Sequence, residues 1–259
     1  MKFQINDVGH GFCAFAVAQN GNYMLFDCGH KADPENRPSV FLPELGCTAI
    51  EWYFVTNYDE DHISDLPRLR RKLPIGVLVR NGTVSAPQLR ALKLEGGPIT
   101  EAMESLLDMM GLYTQSVVAP PPLPGVEWNI HSNRYPEDFE DTNNLSVVTF
   151  LRMGGLSVIL PGDLEAAGWQ KLLLVKEFRD QLRDVNVFIA SHHGREGGYC
   201  EDVFKFCHPA VIVLSDGPVQ HDTQKMASVY AAHASGITFN GELRKVLSTR
   251  TDGTLTWSP

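Results

Sequence analysis

Thr56-Asn57-Tyr58-Asp59-Glu60-Asp61-His62 follows directly on the apolar run Trp52-Tyr53-Phe54-Val55. Three acids, an asparagine and a histidine fall within seven residues, at the end of a run with the length and composition of a buried strand. Strand ends are where side chains from separate parts of a chain converge on a shared cleft. Alternate residues of an extended segment share a face, so the spacing points Asn57, Asp59 and Asp61 the same way. All three offer hard oxygen donors, which favour manganese, magnesium or calcium, whereas the imidazole of His62 favours zinc.

Three further stretches lie at expected strand ends: Asp27-Cys28-Gly29-His30, Leu160-Pro161-Gly162-Asp163 and Ser191-His192-His193-Gly194. A lone Asp after a strand is ordinarily a turn former, so no one of these identifies a site. Together with Asn57 to His62 they form a specific set of acids and imidazoles.

Outward from these motifs the chain reads as two strand groups, each followed by helix and strand. Strands are expected at residues 3–8, 12–18, 23–26, 51–55 and 75–79, with an Asn-Gly hairpin turn at 19–22. Helices are expected at 64–73 and from the cap Thr100 to about 110. The second half offers strands at 126–132, 145–152, 156–160, 185–190, 211–214, 244–249 and 255–257, with helices at 165–183 and 223–234. Two mixed sheets packed face to face, with helices outside, satisfy that order. The fold class is therefore α+β, and residues 1–259 are expected to form one domain.

Composition narrows the function classes. Hydrophobic residues make up 43% and charged residues 20% of the 259, ordinary for a globular protein with a sizeable core. No apolar run reaches the roughly 18 residues of a membrane span, and the N-terminus lacks a signal peptide's apolar core. No membrane association and a cytoplasmic location are the expectations. Cys13, Cys28, Cys47, Cys200 and Cys207 match no disulfide or zinc framework and read as buried thiols. The formal net charge of −9 argues against holding long duplex nucleic acid by bulk electrostatics, though a bound cation offsets charge locally.

The order Asp7-Val8-Gly9-His10-Gly11, Asp27-Cys28-Gly29, Asn57 to His62, Asn143-Asn144-Leu145-Ser146, Pro161-Gly162-Asp163, Ser191-His192-His193-Gly194 resembles the metallo-β-lactamase fold superfamily. Within it, the chain is similar to the soluble hydrolase domain of ComEC-type competence proteins. The resemblance implies an αββα sandwich with the site along one strand edge, and a divalent metal centre of one or two ions, zinc or manganese, with magnesium admitted. The family's loop is HxHxDH. Carried over, Asp61 and His62 are ligands of the second site, Asp163 the bridging ligand, and His193 in preference to His192 the late histidine. Asp27 supports the site from behind. The departures are Asn57 and Asp59, which stand where the family has its first two histidines. They either hold a harder first ion or mark a one-metal site.

The resemblance implies a metal-dependent hydrolase, a phosphodiesterase or nuclease acting on nucleic acid or nucleotides through an activated water. Asp61 and His192 are the expected catalytic residues, and Arg195 and His221 the expected substrate contacts. His10, in its glycine turn, approaches the cleft from below; His30 is a supporting candidate, and His131 a candidate for a missing ligand. Alternatives from other classes are a hydrolase of a lactone, thioester or phosphocholine ester, and a non-catalytic binding or regulatory module with a degenerate first metal site. A standalone chain of this type implies a protein partner that nothing in the sequence identifies.

Overall fold

The structure, a computed structural model, describes residues 1–31, 36–217 and 225–259. Strands β1 (Lys2–Ile5), β2 (Ala14–Val17), β3 (Tyr23–Phe26), β4 (Ile50–Phe54) and β5 (Ile75–Val79) come first. Then follow β6 (Val126–Ser132), β7 (Val147–Met153), β8 (Leu156–Leu160), β9 (Val187–Ile189) and β10 (Val211–Leu214). The last are β11 (Ile237–Phe239), β12 (Glu242–Arg244), β13 (Val246–Ser248) and β14 (Leu255–Trp257). One sheet has the order β14-β1-β2-β3-β4-β5, the other β13-β10-β9-β8-β7-β6, and β11 pairs with β12 alone. Each large sheet is part antiparallel and part parallel. The parallel runs are β3-β4-β5 and β8-β9-β10-β13.

Period-2 alternation assigns each strand's two faces to different layers. Met24, Phe26, Trp52 and Phe54 of the first sheet meet Val158, Leu160, Val187, Ile189, Val211 and Val213 of the second in a central core. Leu25 and Tyr53 point the other way, under α1 (Pro38–Glu44), α2 (Glu60–Ile63), α3 (Leu66–Lys72), α4 (Ala86–Gly96) and α5 (Glu101–Leu112). Ile159, Phe188, Ile212 and Leu214 face the outer core that holds Trp169, Leu172, Phe178, Leu182 and Tyr230. These belong to α6 (Ala166–Leu172), α7 (Lys176–Leu182) and α8 (Ala227–Ala231), with α9 (Thr249–Asp252) near the end. Helix, sheet, sheet, helix is the expected αββα sandwich. Among the described residues, no helix is long and apolar enough to cross a membrane.

Three helical expectations are corrected. The helix at 165–183 is two, because Val175 takes an extended conformation and caps α7. The helix expected at 64–73 splits around Ser64 and begins earlier: α2 opens at Glu60, inside the motif, so Asp61 and His62 are helical rather than extended. Residues 223 and 224 of the helix expected at 223–234 lie outside the described residues, and the rest narrows to α8. Helix α4 was unread, although Ser85-Ala86-Pro87-Gln88 announces it: Gln88 Oε1 accepts from Ser85 N at 2.9 Å, and a proline sits in the first turn.

Candidate metal centre

Parallel strands deliver the motifs. Asp27 follows β3 directly, Thr56 lies two residues past β4, Pro161 follows β8 and Ala190 follows β9, so acids and imidazoles leave at the carboxyl ends of paired strands. Such ends in open α/β sheets form crevices that bind ligands. At the other end of β9 and β10, beside Val187 and Val211, lies an apolar cavity of about 340 Å³, remote from this chemistry.

Asp27 is fully buried and held left-handed at φ 56°. Its Oδ1 accepts from Thr56 N at 2.7 Å, and its Oδ2 accepts from the Thr56 hydroxyl and from His62 Nδ1, the latter at 2.7 Å. Burial raises its carboxyl above the ordinary value, against the pull of His62 and Thr56. Because a carboxylate only accepts, His62 carries a proton on Nδ1 and turns Nε2 forward. That Nε2 lies 3.0 Å from Asp163 Oδ1.

His193 completes the cluster. Its Nδ1 donates to the Ser215 carbonyl at 2.9 Å, which aims Nε2 into the site, 3.1 Å from Asp61 Oδ2 and 3.6 Å from Asp163 Oδ1. Nε2 is buried and has no hydrogen-bond partner in proper geometry. His192, His193 and Gly194 are consecutively left-handed, at φ 51°, 55° and 76°. Such strain in two non-glycine residues persists where surrounding structure fixes it, often at functional sites. Gly194 is required there, since a Cβ would come within 2.8 Å of Leu214.

The electrostatics set buried acids against buried imidazoles. Burial lowers the basicity of His62, but Asp163 and Asp27 raise it well above the ordinary value. The same opposition leaves His193 at about 10, with Asp163 and Asp61 outweighing burial. Asp61 and Asp163 are depressed: burial raises both, and the two histidines overcome it. Among the described residues, two sets of ligand atoms fall within 4.8 Å of one another: His62, Asp163 and His193, all buried, and His10, Asp61 and His193. Two imidazoles and a carboxylate are a donor set that suits a divalent cation such as zinc or manganese, and His193 Nε2 lies buried between Asp61 and Asp163 without a well-directed hydrogen bond. The residues fit a divalent cation.

Asn57 and Asp59 are not brought into either set. Helix α2 begins just after Asp59, which ends the alternation that would align them with Asp61. Asn57 is buried, with Nδ2 donating to Ser146 Oγ (3.0 Å) and Asn143 Oδ1 (3.3 Å), and Oδ1 accepting from Asp59 N (2.7 Å). Asp59 pairs with Lys93 of α4. Glu60 points to the cap of α5, accepting from the Thr100 hydroxyl at 2.6 Å.

A cleft of about 420 Å³ opens over the cluster, lined among others by His10, Asp61, Asp163, His192 and Arg195. Arg195 donates to His192 Nε2 at 3.4 Å and to His10 Nε2 at 3.2 Å. His192 Nδ1 lies 3.6 Å from Glu165 Oε1. Burial holds the His192 ring below its ordinary value, against Asp163 and with Arg195. A neighbouring cavity of about 500 Å³ shares His10 and His30 and adds Lys31 and Arg250. His131 is elsewhere, on β6 against Gln181 and Phe178. His233 stacks on Phe204, and His221 lies outside the described residues. His10 was legible only as a nearby turn residue; Lys93 and Glu165 gave no sequence signal.

No family model matches the chain. In sequence it is 27% identical, over 253 residues, to ComE operon protein 3 of Bacillus subtilis (strain 168), covering 88% of this chain and 30% of that protein. The chain thus spans under a third of that relative's length. In structure it is similar to CmlA, a diiron β-hydroxylase from Streptomyces venezuelae, with a TM-score of 0.55, 12% identity, and 98% of this chain and 54% of that one covered. It is likewise similar to Zn²⁺-bound PqqB from Methylobacterium extorquens, with a TM-score of 0.51 and 13% identity over 100% of both chains. A diphosphatase of the PhnP family gives a TM-score of 0.50 at 10% identity, over 100% of this chain and 98% of that one.

Proposed function

We propose that this chain, which has the metallo-β-lactamase fold and a sequence similar to ComE operon protein 3, is a metal-dependent phosphodiesterase or nuclease. The observation that carries the reading is the buried cluster His62, Asp163 and His193, with Arg195 in the cleft above it. The nucleic-acid or nucleotide substrate is argued from charge. Arg195 faces the cleft over the cluster in a chain that is acidic overall, while Lys31 and Arg250 beside the neighbouring cavity are paired with Asp7 and Asp216. A divalent cation held there would lower the pKa of water and stabilise the charge that develops at phosphorus.

The chain's own residues supply the rest. Asp27 fixes the His62 ring, and Ser215 fixes the His193 ring. Asp61 adds negative charge at His193 Nε2 and strengthens cation binding. The Arg195 guanidinium suits two oxygens of one phosphate, and its donation to His192 and His10 keeps it over the cleft. His192 turns its remaining ring nitrogen toward Glu165, where it can hold a proton during the reaction. Zinc and manganese are the ions proposed.

The test is hydrolysis of a chromogenic phosphodiester by protein loaded with manganese or zinc, beside Asp163→Ala. The expected result is metal-dependent turnover that falls by about a thousandfold or more in the variant. A folded, metal-loaded wild type without turnover on this substrate, nucleotides or single strands favours a binding module.

A further inference from the structure

The cation centre leaves one cleft acid unexplained. Asp59 lines the same cavity as Asp61, Asp163 and His192, and its carboxylate faces an ammonium. Lys93 Nζ contacts Asp59 Oδ1, and Thr142 Oγ1 lies 3.3 Å from that oxygen and 3.4 Å from Nζ. The position of Lys93 is set by the fold. Its helix is anchored to α5 through Arg90, whose two terminal nitrogens donate to Glu104 at 2.7 and 2.5 Å. Next to Asp59, both polar ends of the Asn57 side chain are engaged by Ser146, Asn143 and Asp59 N. Asn143 continues the chain of bonds to Glu165 Oε1 at 3.2 Å. Asp59 Oδ1 and both polar ends of Asn57, the atoms that could cradle a second cation on this wall, already have partners inside the protein.

Hydrolysis at phosphorus by paired cations uses one beside each reacting oxygen. A lysine ammonium is a compact positive charge that satisfies a carboxylate but cannot coordinate a water. We infer that Lys93 stands in the place of a second cation: it neutralises Asp59, keeps a fixed positive charge on that wall, and limits the centre to one exchangeable divalent ion. The inference rests on the metal-dependent reading above and specifies its stoichiometry.

Manganese titration of the full chain, followed by metal analysis and electron paramagnetic resonance, tests it. Wild type and Lys93→Arg are expected to bind about one equivalent, with the signal of isolated Mn²⁺. Lys93→Met strips Asp59 of its counter-charge and is expected to take up a second, weaker equivalent with an exchange-coupled signal. Asp59→Asn, which guards against a misfolded Lys93→Met, should keep one equivalent with affinity within about threefold of wild type. Two equivalents in wild type, a single one in folded Lys93→Met, or loss of the tight site in Asp59→Asn each overturn the inference and leave the metallohydrolase reading standing. No bound manganese in any of the proteins overturns both.

Discussion

His62 Nδ1 lies 2.7 Å from Asp27 Oδ2, with both side chains buried, and this one contact decides which ring nitrogen of His62 faces the cleft. Carboxylates behind metal-binding imidazoles commonly contribute 10–100-fold to affinity. Asp27→Asn is expected to weaken Mn²⁺ or Zn²⁺ binding by about that factor, read by competition with a chromophoric chelator. It also disturbs two bonds from Thr56. A loss of about 1–3 kcal/mol is expected in urea denaturation of the metal-free protein. Unchanged affinity would show that His62 is oriented by something else.

Proton linkage gives a second outcome. Without a cation His193 is raised to about 10 and His62 well above its usual range, despite burial, by the carboxylates around them. His193 therefore holds an extra proton at pH 7, and a cation must displace it to bind. Apparent affinity should rise about tenfold per pH unit for each proton released. Calorimetry between pH 6 and 8, in buffers of different ionisation enthalpy, reads both the slope and the release. For the metal-free protein the sign is opposite. Stability gained from the raised histidines is complete below about 6.5, the unfolded value, and is lost as pH climbs toward the folded one. A pH-independent affinity would contradict the ligand assignment.

Gly29 brings Asp27 and Asp61 together. A Cβ on it would lie 2.0 Å from the Asp61 carbonyl and 2.9 Å from that of Phe12, both backbone atoms. Phe12 N and Cys28 N already bond the start and end of the Asp61-His62 segment. Gly29→Ala should therefore cost about 3 kcal/mol or more. Gly82→Ala, which meets nothing within 4 Å, should stay within about 0.5 kcal/mol. Thermal unfolding of the two, side by side, is the measurement.

The cysteines offer a check on the cores. All five are free and buried, and burial is the largest cause raising each thiol, to about 11 for Cys47 and about 12 for Cys207. Native protein at pH 8 should resist iodoacetamide, and urea-unfolded protein should take up label on all five, read by intact mass. Rapid labelling of the native protein would contradict the packing.

The sandwich was legible because its strands are short apolar runs with turn residues between them, and the motifs sit at their ends. Asp27, Asp61, His62, Asp163 and His193 lie in those motifs, and the roles expected of them come from the resemblance rather than from placement alone. The fate of Asn57 and Asp59 was not legible, because period-2 reasoning assumes an extended chain and α2 starts one residue after Asp59. Lys93 and Thr142, which contact Asp59, lie 34 and 83 residues away from it in sequence. Their meeting depends on how α4 packs and how the loop before β7 folds back. Local pattern carries no information on such contacts. His10 was legible as a glycine-turn residue approaching the cleft, but its neighbour was not: the structure puts its Nε2 3.5 Å from Asp61 Oδ2.

The most direct measurement is cleavage of an end-labelled single-stranded oligonucleotide by manganese-loaded protein, with His193→Ala and Arg195→Ala alongside. Expected are cleavage by wild type that a chelator abolishes, loss of both bound metal and cleavage in His193→Ala, and a raised KM with metal retained in Arg195→Ala. Metal-loaded, folded wild type that leaves the strand intact, or His193→Ala that cleaves like wild type, would contradict the assignment of phosphodiester hydrolysis to this centre.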